Sequence, residues 1–396
     1  MKKYFVLAAA VLIQLCLGGI YAWSTFMPVL RSAYGYSAAQ TQFIFGLTIG
    51  ILCFAAMISG RIQDLYGPRL TACLSAILTG SGYLVAGLWG DRFWGLALGI
   101  SILCGLGVAF GYITAVATGA KWFPNRRGLT TGVIVSGYGC AAIILSTLSG
   151  ILLAHGWSVL QIFRWVGCIY GPLLLLAGLA LSVPAGSSTV DTVRKFRRGE
   201  LFTDRRFWRL AIGIFCATFP GLALIGALKP IGSWHGFDLV TATAAISALA
   251  VGNGAGRIVW GTIHDRLQSR RTDLFLLAAV VASVLLFALG GYNRILFLAS
   301  AILLGFCYGG ALAVFPVEVS VLYGVHVMGS VYPVVLIGHG IAAIIAAPLT
   351  GYGVDRTGSY WPGLLLALGV AITGLITCAL LHRQESARPC TCLFAR

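Results

Sequence analysis

Arg257 lies inside an apolar stretch from Leu239 to Thr262, with Asn253 four residues before it and so on the same face of a helix. A charge at that depth in a membrane span costs at least about 2.5 kcal/mol on insertion scales, so something must compensate it. A guanidinium binds a carboxylate through two parallel hydrogen bonds, which makes Arg257 a candidate fixed cation for an anionic ligand. Asn253 would orient the fork or donate beside it. The plainer alternatives are an arginine that snorkels to the interface or pairs with a neighbour, and an asparagine in a helix–helix hydrogen bond.

His339, between Gly338 and Gly340 in a second apolar stretch, is the next anomaly. An imidazole titrates near about 6.5 in model compounds, so it can carry a proton or sit as a neutral, satisfied core group. Tyr308 in Gly305-Phe-Cys-Tyr-Gly-Gly310, Tyr112 at the end of Gly105-Leu-Gly-Val-Ala-Phe-Gly-Tyr112, and Tyr21 beside Gly18 and Gly19 offer hydroxyls that could close a site over a small ligand. Aromatic residues in spans also serve as packing. Among the acids only Glu318 falls inside an apolar stretch; Asp64, Asp265 and Asp273 are expected in loops.

These residues must be positioned by membrane helices. The 396 residues are 59% hydrophobic and 10% charged, whereas soluble domains are about a quarter charged. No hydrophilic stretch is long enough for a soluble catalytic domain. Twelve stretches approach the roughly 20 apolar residues a spanning helix needs: 5–30, 43–60, 70–90, 94–120, 129–154, 163–183, 208–229, 239–262, 274–291, 295–323, 331–354 and 361–381. The first begins like a signal peptide, but its apolar run continues to Leu30 and reads as a helix. With both termini inside, twenty Lys and Arg fall on the inner side against six outside, which sets the orientation and explains the net charge of +16 without nucleic acid. The eleven cysteines lack metal-ligand spacing and read as small buried apolar residues, apart from Cys390 and Cys392 in the tail, which could be acylated.

The two halves repeat. Gly60, Asp64 and Arg69 recur as Gly261, Asp265 and Arg270, each 201 positions on, and Gly137-Tyr-Gly-Cys-Ala-Ala-Ile-Ile144 recurs as Gly338-His-Gly-Ile-Ala-Ala-Ile-Ile345 at the same displacement. The chain therefore divides into an N-terminal bundle of six helices (1–183), a basic linker (184–206), a C-terminal bundle (207–383) and a tail (384–396). Parallel repeats of this kind place the substrate near the midplane between the halves. The repeat maps Arg257 onto Ala56, Asn253 onto Leu52 and His339 onto Tyr138, so the shared fold does not demand Arg257 or Asn253.

Gly60-Arg-Ile-Gln-Asp64-Leu-Tyr-Gly67-Pro-Arg69 resembles the signature loop of the major facilitator superfamily, in which the aspartate and arginines brace the cytoplasmic closure. Gln268 replaces the central glycine in the second copy. Gly18-Gly-Ile-Tyr-Ala-Trp-Ser24 and Lys121-Trp-Phe-Pro-Asn-Arg-Arg-Gly128 are similar to the oxalate/formate antiporter and monocarboxylate porter branch. In the oxalate/formate branch the helix of His339 can carry a lysine, a second fixed cation for a dianion. Vertebrate monocarboxylate transporters have aspartate four residues before the arginine and a lysine in helix one, where this chain has Asn253 and Thr25. Proton handling therefore does not simply carry over.

The resemblance implies an all-α membrane protein, twelve transmembrane helices in two pseudo-symmetric bundles, with both termini cytoplasmic in the plasma (inner) membrane of a bacterium. One permanent cation plus a titratable imidazole suits a monoanion. The expected function is a carrier of small monocarboxylates such as L-lactate, with proton symport as the leading energetic mode and His339 as the coupling candidate. The order among lactate, pyruvate, acetate and glycolate stays open. An exchanger of the oxalate/formate kind and a non-transporting nutrient sensor are the alternatives. No phosphate loop for ATP is present, and no cluster suits an enzyme. No cofactor or metal is expected, and a monomer is.

Overall fold

The computed structural model describes residues 2–124, 127–184, 198–267, 272–290, 293–324 and 328–386. Among these, twelve helices are long and apolar enough to cross a membrane. They are α1 (Lys2–Tyr34), α2 (Ala38–Tyr66), α3 (Pro68–Trp89), α4 (Phe93–Trp122), α5 (Thr130–Ala154), α6 (Val159–Ala180), α7 (Arg205–Ile225), α8 (Leu239–His264), α9 (Thr272–Leu289), α10 (Arg294–Tyr323), α11 (Val331–Thr357) and α12 (Trp361–Arg383). Local sequence sets the ends. Ser37 with Gln40, and Ser158 with Gln161, form capping boxes at the starts of α2 and α6. Asp204 and Asn293 cap α7 and α10.

Packing follows the repeat. α1 lies on α5, α2 on α4 and α3 on α6; six helices later, α7 lies on α11, α8 on α10 and α9 on α12. The two bundles meet where α2 packs on α11 and α5 on α8. An even number of crossings puts both ends of the chain on one side, here called the terminus face. On the remote face the bundles are closed: α2 runs along α11 from Ala38 against Gly351 to Cys53 against Gly340.

Two helices depart from α geometry within their spans. α1 tightens to a 3₁₀ turn over Gly18–Ala22, and α4 widens to a π stretch over Ala97–Cys104. Such irregular turns are tolerated in a membrane where protein, not lipid, surrounds the backbone. Gly18 has a specific reason to lack a side chain, since a Cβ there would meet the backbone carbonyl of Tyr138 in α5.

Several sequence expectations need correction. Asp273, expected in a loop, lies in α9 and pairs with Arg209 of α7, both fully buried inside the C-terminal bundle. Lys229, expected outside, is buried in the short helix Leu228–Trp234, and that burial pushes its ammonium below its usual range. Cys140 and Cys168 are exposed on the helix surface, not packed in the core. Cys390, Cys392 and most of the linker lie outside the described residues.

Candidate functional site

The site assembles at the seam between the bundles. From α8, Arg257 extends its guanidinium to Tyr112 of α4, with Nη1 donating to the tyrosine hydroxyl at 3.1 Å across the bundle boundary. Its Nε donates to Asn253 Oδ1 at 3.2 Å, which fixes the plane of the fork. Asn253 is held in turn by close packing of α8 on α10, where a Cβ on Gly309 would meet the Asn253 carbonyl. Arg257 itself is half-buried, and no carboxylate pairs with it among the described residues. It is a positive charge held by neutral partners at the boundary between the two halves.

The second side of the site is a relay of hydroxyls. Tyr21 of α1 donates to the Tyr308 hydroxyl of α10 at 3.2 Å, again across the boundary. The Tyr308 hydroxyl lies 3.4 Å from His339 Nε2 on α11. With Tyr308 accepting from Tyr21, its own proton points to His339 Nε2, leaving Nδ1 as the nitrogen that carries hydrogen in the neutral ring. That Nδ1 is buried and has no partner among the described residues. A buried N–H without an acceptor is costly, so this one invites a ligand oxygen.

Tyr138 of α5 joins the two sides. Its ring stands edge-on to Tyr21 at 5.4 Å and to Tyr112 at 5.6 Å. The ring sequence Tyr112, Tyr138, Tyr21, Tyr308 therefore runs from the guanidinium to the imidazole. All six residues singled out from sequence are brought together, and Tyr138 was missed. Its signal was present, because the internal repeat places it opposite His339.

The signature loop lies at the terminus face, between α2 and α3. Asp64 is exposed and has no ion pair among the described residues, while Arg69 Nε donates to the Leu181 carbonyl at the end of α6 at 2.9 Å. Gly60 has open space around it. Arg270 and the Asp265 side chain lie outside the described residues. Thr25, at the place of the helix-one lysine, is fully buried and supplies no cation.

Comparison with known proteins decides the family. The Major Facilitator Superfamily model matches residues 9–337. The chain belongs to the major facilitator superfamily. Among its relatives, the uncharacterized MFS-type transporter YhjX of Escherichia coli is 28% identical over 350 residues, covering 86% of each chain. The oxalate:formate antiporter of Oxalobacter formigenes is 29% identical over 333 residues, 82% of this chain and 78% of its own. Monocarboxylate transporter 13 of Bos taurus is 26% identical over 385 residues, 93% and 86% respectively. These matches bear out the branch read from the motifs. The chain is a multi-pass membrane transporter of this superfamily.

Proposed function

We propose that this transporter carries small monocarboxylates, with lactate-like 2-hydroxy acids foremost, together with a proton by alternating access. The observation that supports this most is Arg257, a cation without a carboxylate partner at the bundle seam, enclosed by tyrosine hydroxyls and a histidine. The carboxylate takes the guanidinium fork. A 2-hydroxyl or 2-oxo oxygen then falls toward Tyr308 and the His339 Nδ1 hydrogen. Because ligands touch groups from α1, α4, α8, α10 and α11, binding ties the two bundles to one another.

Charge accounts for the coupling. The empty site carries the single charge of Arg257, and a bound monoanion alone cancels it. A proton on His339 restores that charge, so the empty carrier and the carrier loaded with both would cross the membrane field in the same charge state. By linkage, a proton that favours substrate is itself favoured by substrate. His339 in place of a lysine supports a monoanion over a dianion. Protein reconstituted in proteoliposomes tests the reading against a panel of mono- and dicarboxylates, with and without an imposed pH gradient. Accumulation of lactate driven by the gradient alone supports symport. Counterflow that ignores the gradient would instead support an exchanger, and binding without uptake a sensor.

A further inference from the structure

The C-terminal bundle contains a second polar centre that the substrate cage does not use. Arg209 of α7, His264 of α8, Asp273 of α9, Glu318 of α10 and His382 of α12 converge near the terminus face, none more than 9% exposed. Arg209 Nη1 donates to Asp273 Oδ2 at 2.5 Å, and His382 Nε2 lies 3.0 Å from Asp273 Oδ1. Glu318 is second in line for that guanidinium. Its Oε2 stands 3.8 Å from Arg209 Nη2, within ionic reach but too far for a hydrogen bond, and accepts none among the described residues. Its Oε1 lies 3.1 Å from His264 Nε2. The Tyr323 hydroxyl, further along α10, donates to Asp204 at 2.9 Å.

A buried carboxylate is tolerated when its oxygens are hydrogen-bonded and its charge is matched. Asp273 meets both conditions. Glu318 meets neither fully, since its nearest cation is engaged by Asp273 and one oxygen is bare. The His264 ring is the group able to complete it, because a proton added to the pair turns a lone buried charge into an imidazolium–carboxylate pair or a neutral acid–imidazole pair. We propose that Glu318 and His264 form a proton-binding site, separate from the substrate cage, that exchanges one proton with the terminus face and sets the rate at which the carrier reorients.

The route to the cage is short. His264 lies seven residues beyond Arg257 on α8, about two turns along the same face. Glu318 shares α10 with Tyr308, and α8 and α10 touch through Gly309 and Asn253. Loss of the proton loads an unmatched charge onto the two helices that hold the anion site.

The primary test needs no substrate. Infrared difference spectra of the purified protein, recorded as the buffer is taken from alkaline to mildly acid, should show a protonated carboxyl or imidazolium band. The band should be lost in Glu318→Gln and in His264→Gln, and kept in His339→Gln and His382→Gln. A band retained in Glu318→Gln, or lost in His339→Gln, overturns the proposal, and so does its absence from the wild-type protein. If Glu318→Gln does not fold, His264→Gln decides alone. The second arm rests on the transport reading: equilibrium exchange of labelled lactate, with equal pH on both sides, should depend on pH in the wild-type carrier and lose that dependence in Glu318→Gln. A wild-type protein that exchanges no lactate sinks the substrate assignment and leaves the infrared result standing.

Discussion

Asp355 at the end of α11 accepts hydrogen bonds from the first backbone N–H groups of α2, Ala38 and Ala39, each at 2.8 Å. One bundle thus caps a helix of the other. The first N–H groups of a helix have no partner within it and carry the positive end of its dipole, so a carboxylate there satisfies donors and charge together. Arg31 adds an ion pair to Asp355 at 3.8 Å, partly exposed to solvent and so of small weight. Opening the remote face must break this contact. Hydrogen bonds to a charged group are worth about 1.5–3 kcal/mol, so Asp355→Asn is expected to shift the equilibrium toward the remote-open state by about tenfold. A cysteine placed at Ala347, fully buried where α11 packs on Gly46 of α2, in a background lacking the exposed Cys140 and Cys168, should label faster with an impermeant maleimide in the asparagine variant. Equal labelling rates would remove Asp355 from the closure.

The Arg257 fork makes a second prediction. Lysine preserves the charge but not the planar donors that reach Tyr112 and Asn253 while leaving two parallel N–H groups for a carboxylate. Losing one charged hydrogen bond at about 1.5–3 kcal/mol should weaken lactate binding at least about tenfold. Arg257→Lys should still elute as a folded monodisperse protein. Near-native affinity in counterflow would mean that the anion binds elsewhere.

Asn253→Asp introduces a carboxylate 3.2 Å from Arg257 Nε, where the amide oxygen now sits. Opposite charges about 4 Å apart are worth on the order of 4 kcal/mol at an effective dielectric of 20, so the new acid should compete with the substrate anion. Affinity is expected to fall at neutral pH and to recover on acidification, as the aspartate is protonated and releases the guanidinium. A pH profile of binding that matches the wild type would count against their adjacency.

The residues of the cage were legible because a membrane makes polar side chains conspicuous. Arg257, His339 and three tyrosines stand out against apolar spans, and the internal repeat shows that Arg257 and Asn253 have no counterpart demanded by the fold. The buried centre was less visible. Arg209 and Asp273 lie within one turn or so of helix ends, where charge is ordinary, and only tertiary packing brings α7 and α9 close enough to bury them together. Tyr138 was obscured differently: aromatic residues are common in spans, and its role depends on ring contacts with two other helices.

That buried pair carries a stability prediction. Arg209 and Asp273 are both fully buried, and removing one partner of such a pair leaves an unmatched charge that costs about 3–5 kcal/mol. Asp273→Asn should therefore lower the thermal midpoint of the detergent-purified protein, measured by tryptophan or dye fluorescence. Asp64→Asn, in an exposed position, serves as the control and should leave it unchanged. If both variants melt alike, the ion pair does not hold the C-terminal bundle together.

His339 is the residue on which the energetics turn. Its Nε2 is engaged by Tyr308 at 3.4 Å and its Nδ1 has no partner among the described residues, so the ring can donate from Nδ1 to a ligand oxygen and accept a proton at Nε2 as the Tyr308 hydroxyl turns away. Glutamine keeps a donor of similar reach but has no titrating group. His339→Gln is therefore expected to retain counterflow of lactate while losing accumulation driven by a pH gradient. Lysine in the same place fixes a second charge beside Arg257, which should move preference from monocarboxylates toward dicarboxylates, measured as competition by oxalate against labelled lactate. Uphill uptake by the glutamine variant under a pure pH gradient would transfer the coupling role away from His339. The Glu318–His264 pair would then be the group to test, and the combined Glu318→Gln, His339→Gln protein would show whether the two share it.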